Sequence, residues 1–80
     1  MTVEEAKKAF FEDKPVSFKQ GRIKINCSHI SALIYRKGER GLELYCELKD
    51  RNGKGNYIVK CDKVLPGSDD ERRIEVEYEK

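Results

Sequence analysis

Eighty residues and 9.3 kDa suffice for one domain, near the size at which a single hydrophobic core only just offsets the entropy of ordering it. Charged residues make up 40% of the chain and hydrophobic residues 38%, and tryptophan is absent. Seventeen Lys and Arg against 15 Asp and Glu leave +2, which argues against both a strongly basic nucleic-acid protein and an acidic DNA mimic.

Thr2 and Glu5 have the spacing of a capping box, in which each side chain satisfies a backbone N–H left free at a helix start. Val3, Ala6, Phe10 and Phe11 recur near helical spacing, and Glu4 and Lys8 form an (i, i+4) pair oriented with the helix dipole. Lys14 precedes Pro15, which disfavours helical geometry at residue 14. These features predict a helix over about residues 3–13.

From Val16 the period changes to two, and a strand-rich region is expected over about residues 16–78. Val16 and Phe18 alternate with polar neighbours before a turn at Gln20-Gly21. Ile23, Ile25 and Cys27 share odd parity, whereas Ile30, Ala32 and Ile34 share even parity, so the apolar face is expected to switch at a bulge or corner around Ser28-His29. After a polar turn from Lys37 to Gly41, Leu42, Leu44, Cys46 and Leu48 alternate with Glu43, Tyr45, Glu47 and Lys49. Asn52-Gly53 marks a hairpin leading to Tyr57, Val59 and Cys61, so these two runs should pair antiparallel. Asp62 to Gly67 reads as a helical turn or loop, and Ile74, Val76 and Tyr78 read as a last edge strand blunted by alternating glutamates. The whole describes a mainly β (α+β) chain forming a single domain over residues 1–80. Its architecture is an SH3-like curved sheet or barrel of about five antiparallel strands with an N-terminal helix.

The near-neutral total conceals a dipolar chain. Residues 15–40 carry six basic and one acidic side chain, and residues 68–80 carry three basic and six acidic. Arg22, Lys24, Arg36, Lys37 and Arg40 fall on the long strand and its turns, with Lys54 and Lys60 able to join them across the sheet. Guanidinium groups bind phosphate bidentately, and Tyr35, Tyr45 or Tyr57 can stack on a base. The stripe is therefore the candidate ligand surface, with Arg22, Lys24, Arg36, Lys37 and Arg40 for phosphates and Tyr35 and Tyr57 for stacking. The competing reading is a solvated face, because strands of a small domain must show charge to water.

Metal and catalytic chemistry are argued against. Cys27, His29, Cys46 and Cys61 include zinc-ligand types, but no Cys-x-x-Cys occurs, and each cysteine shares the parity of aliphatic neighbours, as a small buried hydrophobe does. One histidine without an orienting partner makes a poor nucleophile system. Asp50-x-Asn52-Gly53 starts like a calcium loop but lacks its later ligands, Gly38-x-x-Gly41 is too short a signal for a phosphate clamp, and Asp69-Asp70-Glu71 reads as a solvated loop. No catalytic residue, metal or cofactor is expected. Glu4 and Glu5 close behind Met1, the lack of a long apolar run and an odd cysteine count point to a cytoplasmic, non-membrane protein with reduced thiols.

At Ile30-Ser31-Ala32-Leu33-Ile34-Tyr35-Arg36-Lys37, at Glu4-Glu5-Ala6-Lys7-Lys8-Ala9-Phe10-Phe11 and at Cys46-Glu47-Leu48-Lys49-Asp50-Arg51-Asn52-Gly53, the chain resembles short uncharacterised phage and prophage proteins of Gram-positive bacteria. The resemblance spans most of residues 2–66 and carries no functional residues with it. It implies a context in which small proteins act stoichiometrically on host machinery, in the cytoplasm of the bacterial host. The expected function is non-enzymatic: countering a host defence by binding, with sequestration of a phosphate-bearing nucleotide signal as the leading form. A nucleic-acid-binding SH3-like module and an inhibitor that binds a host defence protein are the alternatives. Because one small barrel offers a shallow surface, a nucleotide pocket is expected to need a homo-oligomeric interface.

Overall fold

The structure, a computed structural model, describes residues 1–67; the expected strand at Ile74, Val76 and Tyr78 and the acidic loop Asp69-Asp70-Glu71 lie outside the described residues. Helix α1 spans Val3–Phe11. Its capping box is complete: the Thr2 N–H donates to Glu5 Oε1 at 2.9 Å and the Glu5 N–H to Thr2 Oγ1 at 3.2 Å. Accepting the backbone N–H of Thr2, and then the Thr2 side chain, holds the Glu5 carboxyl below its ordinary range. The helix ends two residues before the expected Asp13. Asp13 takes a left-handed conformation (φ 51°), and the Lys14 N–H reaches back to the Ala9 carbonyl at 3.0 Å, a Schellman closure in which Pro15 follows two residues later.

Five antiparallel strands form one sheet in the order β4-β3-β2-β1-β5: β1 Val16–Gln20, β2 Ile23–Gly38, β3 Gly41–Asp50, β4 Asn56–Lys60 and β5 Leu65–Pro66. The fold is mainly β with an N-terminal helix, as the sequence indicates. The fifth described strand, however, is Leu65–Pro66, within the segment expected to be a helical turn or loop; only Cys61–Lys63 is helical there, as one 3-10 turn. The hydrophobic pattern could not show β5, because two residues are too few for alternation to register.

That 3-10 turn forces the sheet to curve. Strands β4 and β5 stand at opposite ends of the strand order, so in a flat sheet four spacings of about 4.8 Å would separate them by about 19 Å. Three residues of 3-10 helix advance about 6 Å, and extended Val64 with the step into Leu65 adds about 7 Å, so the connector spans at most about 13 Å. The order is satisfied only when the sheet coils until its two ends approach, giving a partly open barrel. β5 then pairs with β1, Val16 opposite Pro66 and Ser17 opposite Leu65.

Gly67 completes this closure by donating its N–H to the Pro15 carbonyl at 2.9 Å. A Cβ at Gly67 would lie 2.6 Å from the Pro15 carbonyl carbon, which is backbone and cannot swing aside. Gly67→Ala is therefore expected to destabilise the domain by about 1–3 kcal/mol, the range for overpacking a tight site. Urea denaturation reads the shift; an unchanged midpoint would show that the β1–β5 seam contributes nothing.

The coiled sheet encloses Val16, Phe18, Cys27, Ile30, Leu44, Cys46, Leu48, Cys61 and Val64, and α1 adds Ala6 and Ala9. Met1 also packs against this core, its backbone nitrogen donating to the carbonyls of Cys61 and Val64 at 3.1 and 2.8 Å. The middle of strand β2, from Ile25 through Cys27 and Ile30 to Leu33, contributes to the core by breaking step twice. Its register with β3 runs Cys27–Asp50, His29–Lys49, Ile30–Leu48, Ala32–Glu47 and Leu33–Cys46, leaving Ser28 and Ser31 as the extra residues of two bulges. The first bulge is the expected one. The second corrects the sequence reading: Ile30 faces the core, but after Ser31 the parity reverts, so Leu33 packs on the core while Ala32 and Ile34 join the outer face.

Candidate functional site

The expected basic stripe does not form one surface. Arg22 lies in the turn between β1 and β2, and Lys24 begins β2 directly opposite Lys19 of β1. Arg36 and Lys37 lie near the other end of the same strand, with Arg40 in the turn to β3. Twelve residues separate Lys24 from Arg36, about 40 Å of straight strand, and even a right-angle bend at the bulges leaves more than about 25 Å. No single small ligand bridges that distance. Lys24 and Lys19 instead form a like-charge pair at the far hairpin.

The two tyrosines expected to stack on a base also part from the arginines. Tyr57 is half-buried with its ring centroid 5.2 Å from that of Phe18, so one face of it belongs to the core. Tyr35 is 51% exposed, but it sits opposite Leu44 and shares the core-facing parity, so it points away from the side that Arg36 occupies. The tyrosine on the Arg36 side is Tyr45. The Arg36 guanidinium carbon lies 4.8 Å from the centre of the Tyr45 ring, a stacking distance for a cation on an aromatic face. Tyr45 was legible as one of three candidates; only the register, Ile34 opposite Tyr45 and Arg36 opposite Glu43, shows that it is the partner.

Around this pair the outer face of β2, β3 and β4 carries a connected set of side chains. The Tyr45 hydroxyl donates to Glu43 Oε2 at 3.2 Å, and Lys60 Nζ, on β4 opposite Tyr45, lies 3.9 Å from the same oxygen. Gly38 makes room for that carboxylate, since a Cβ there would collide with the Glu43 side chain. Lower on the face, the Ser31 hydroxyl donates to Glu47 Oε1 at 2.7 Å, so the second bulge residue is tied to β3. Lys60 thus joins the face as the sequence suggests, while Lys54 stays in the β3–β4 turn.

Comparison with protein-family models, curated proteins and solved structures finds no match. The site must be read from its own geometry. Arg36, Lys37 and Arg40 are all exposed, and Arg36 is held with its ring-facing side on Tyr45 and its N–H edge open. A planar guanidinium fixed in this way is a preorganised fork for an oxyanion.

The other chemistry-bearing residues do not compete with this face. Cys27, Cys46 and Cys61 are free and buried, and burial pushes the Cys27 and Cys46 thiols up, Cys46 to about 12. Such thiols are poor nucleophiles and poor metal ligands. No group of three or more His, Cys, Asp or Glu that could hold a metal occurs among the described residues. His29 sits at the first bulge with Nδ1 2.5 Å from the Ser28 hydroxyl oxygen. Two grooves, of about 450 and 290 Å³, flank α1; the larger is lined by Glu5, Lys8, Lys14 and Gly67 among others, the smaller by Val3, Leu42 and Leu44, and neither includes Arg36 or Tyr45. No helix among the described residues is long and apolar enough to cross a membrane.

Proposed function

We propose that this protein is a non-enzymatic phage accessory protein that counters a host defence in the bacterial cytoplasm by binding a phosphate-bearing nucleotide ligand. The binding surface is the end of the β2–β3 ribbon. Arg36 and the turn cation Arg40 take the phosphates, and the open part of the Tyr45–Arg36 stack takes the base. The observation that carries this reading is the exposed Arg36 guanidinium held 4.8 Å from the Tyr45 ring. Arg22, Lys24, Tyr35, Lys37 and Tyr57 have no part in it, because distance or orientation separates them from that face.

Arg36 and Tyr45 sit on an open face and line neither groove, although the smaller groove reaches Glu43 and Lys60. That openness favours one second reading, an extended nucleic-acid strand lying across β2, β3 and β4, since an exposed aromatic–cation surface suits a strand as well as a mononucleotide. Calorimetry against cyclic dinucleotides and ADP-ribose derivatives, beside gel shifts with oligonucleotides at two salt concentrations, separates them. Nucleotide heat supports the first reading; a shift that weakens steeply as salt rises supports the second. In either case Arg36→Ala is expected to weaken binding by about ten- to a hundredfold, the worth of a charge-assisted contact. Absence of any heat or shift overturns both. Capture of a host protein that survives Arg36→Glu with Lys37→Glu would point to a protein-interaction inhibitor instead.

A further inference from the structure

Strand β2 is 16 residues long, but β1 pairs only with its first stretch, Ile23 to Cys27. On the side away from β3, the run from Ala32 to Gly38 therefore has no strand beside it among the described residues. Alternate backbone N–H and C=O groups along that run stand outside any ladder formed by the described residues. Helix α1 packs against β2 but cannot supply those hydrogen bonds, since its own backbone groups are engaged within the helix. Natural sheets blunt such an edge with charged side chains, proline, brevity, a bulge or a covering helix or loop. Here both bulges come before Ala32, the charges Arg36 and Lys37 fall at the far end, and Ala32-Leu33-Ile34-Tyr35 between them contains neither proline nor charge and is rich in strand-forming side chains.

We propose that this edge pairs antiparallel with the same edge of a second copy of the chain, about a two-fold axis through Ile34. Side chains on the two strands face the same way only if the axis passes through a residue, because successive side chains alternate. With the axis at Ile34, the outer face gains an uninterrupted apolar row: Tyr45, Ile34, the partner's Ile34 and the partner's Tyr45. On the other face Tyr35, 51% exposed in the single chain, meets the partner's Leu33, and the reverse contact forms by symmetry.

Charge selects this register over its neighbours. Arg36 falls opposite the partner's Ala32, whose register neighbour on β3 is Glu47. The small alanine leaves the space between them open, so in the dimer the guanidinium swings from the Tyr45 ring of its own chain across the seam to that carboxylate, twice per dimer. An axis through Arg36 would set two guanidiniums against each other, and one through Leu33 would set Arg36 against the partner's Ile30, which is buried in its own core. An extended peptide from another protein would meet the same backbone edge. A copy of this chain supplies both the arginine and the glutamate.

Sedimentation equilibrium of the full chain from about 1 μM to about 1 mM tests the proposal, with circular dichroism to check that each variant folds. The expected result is a monomer–dimer equilibrium that Glu47→Arg weakens at least about tenfold, that Arg36→Glu weakens similarly, and that the double exchange restores. A monomer throughout the range, or a dimer indifferent to both single changes, would overturn it. Sedimentation is read without ligand, so failure of the phosphate-binding reading leaves the dimer standing, and Glu47→Arg tests the dimer without touching Arg36.

Discussion

Replacing Leu48 by Ala is expected to cost about 3–5 kcal/mol and to lower the melting midpoint by roughly 15–25 °C. Leu48 is fully buried, with Ile30 opposite it on β2 and Tyr57 opposite it on β4, so it is packed from both neighbouring strands. Truncation leaves a cavity at the centre of the coiled sheet, where strands hydrogen-bonded on both sides cannot relax to fill it. A domain of this size holds roughly 4–12 kcal/mol in total, so the variant should sit near the limit of folding. Leu42→Ala supplies the comparison. It removes the same atoms from the same strand and the same parity, but Leu42 is 71% exposed and lies beyond the residues of β3 that β4 covers. Its expected cost is within about 0.5 kcal/mol. Thermal denaturation of the pair decides the matter: equal losses would mean that the core does not lie where β2, β3 and β4 overlap.

That contrast shows what alternation in a sequence can and cannot convey. Leu42, Leu44, Cys46 and Leu48 form one clean period-two run, which identifies the strand and its inward parity, yet burial along it ranges from 71% exposed to none. Which end is covered depends on where β4 starts and stops, a long-range fact absent from the local pattern. The helix was legible because its signals are local: Thr2 and Glu5 lie three residues apart and cap each other. The first bulge of β2 was legible because it shifts hydrophobic parity at Ser28. The second was hidden, because Ala32 and Ile34 are apolar on the outer face and so imitate an unbroken inward run. The basic residues were legible as a set and misread as a site. Sequence proximity within β2 becomes distance in space when the strand is 16 residues long, so Lys24 and Arg36 part company while Arg36 and Tyr45, nine positions apart, meet across a hairpin.

Stability is expected to fall steeply as pH rises above about 9, and Cys46 to be a principal cause. Burial, reinforced by the neighbouring Cys61, pushes the Cys46 thiol from an ordinary 9.0 up to about 12. Below pH 9 both folded and unfolded chains keep this proton, and the thiol contributes no pH dependence. Between 9 and 12 the unfolded chain releases a proton that the folded chain retains, so each further pH unit favours unfolding by up to about 1.4 kcal/mol. Burial raises Cys27 as well, with the Asp50 carboxylate adding to it, so its loss runs in the same direction. Lysines and tyrosines also titrate in this range, which makes a variant necessary to isolate the thiol. Cys46→Ala lowers stability at every pH by leaving a small cavity, but it removes the proton that the wild-type core holds. Urea unfolding at pH 8 and pH 10 should therefore show a wild-type loss larger than the variant's by about 1.4 kcal/mol. Parallel losses would mean that the Cys46 thiolate is as well solvated in the folded chain as in the unfolded one, which would contradict its place inside the barrel.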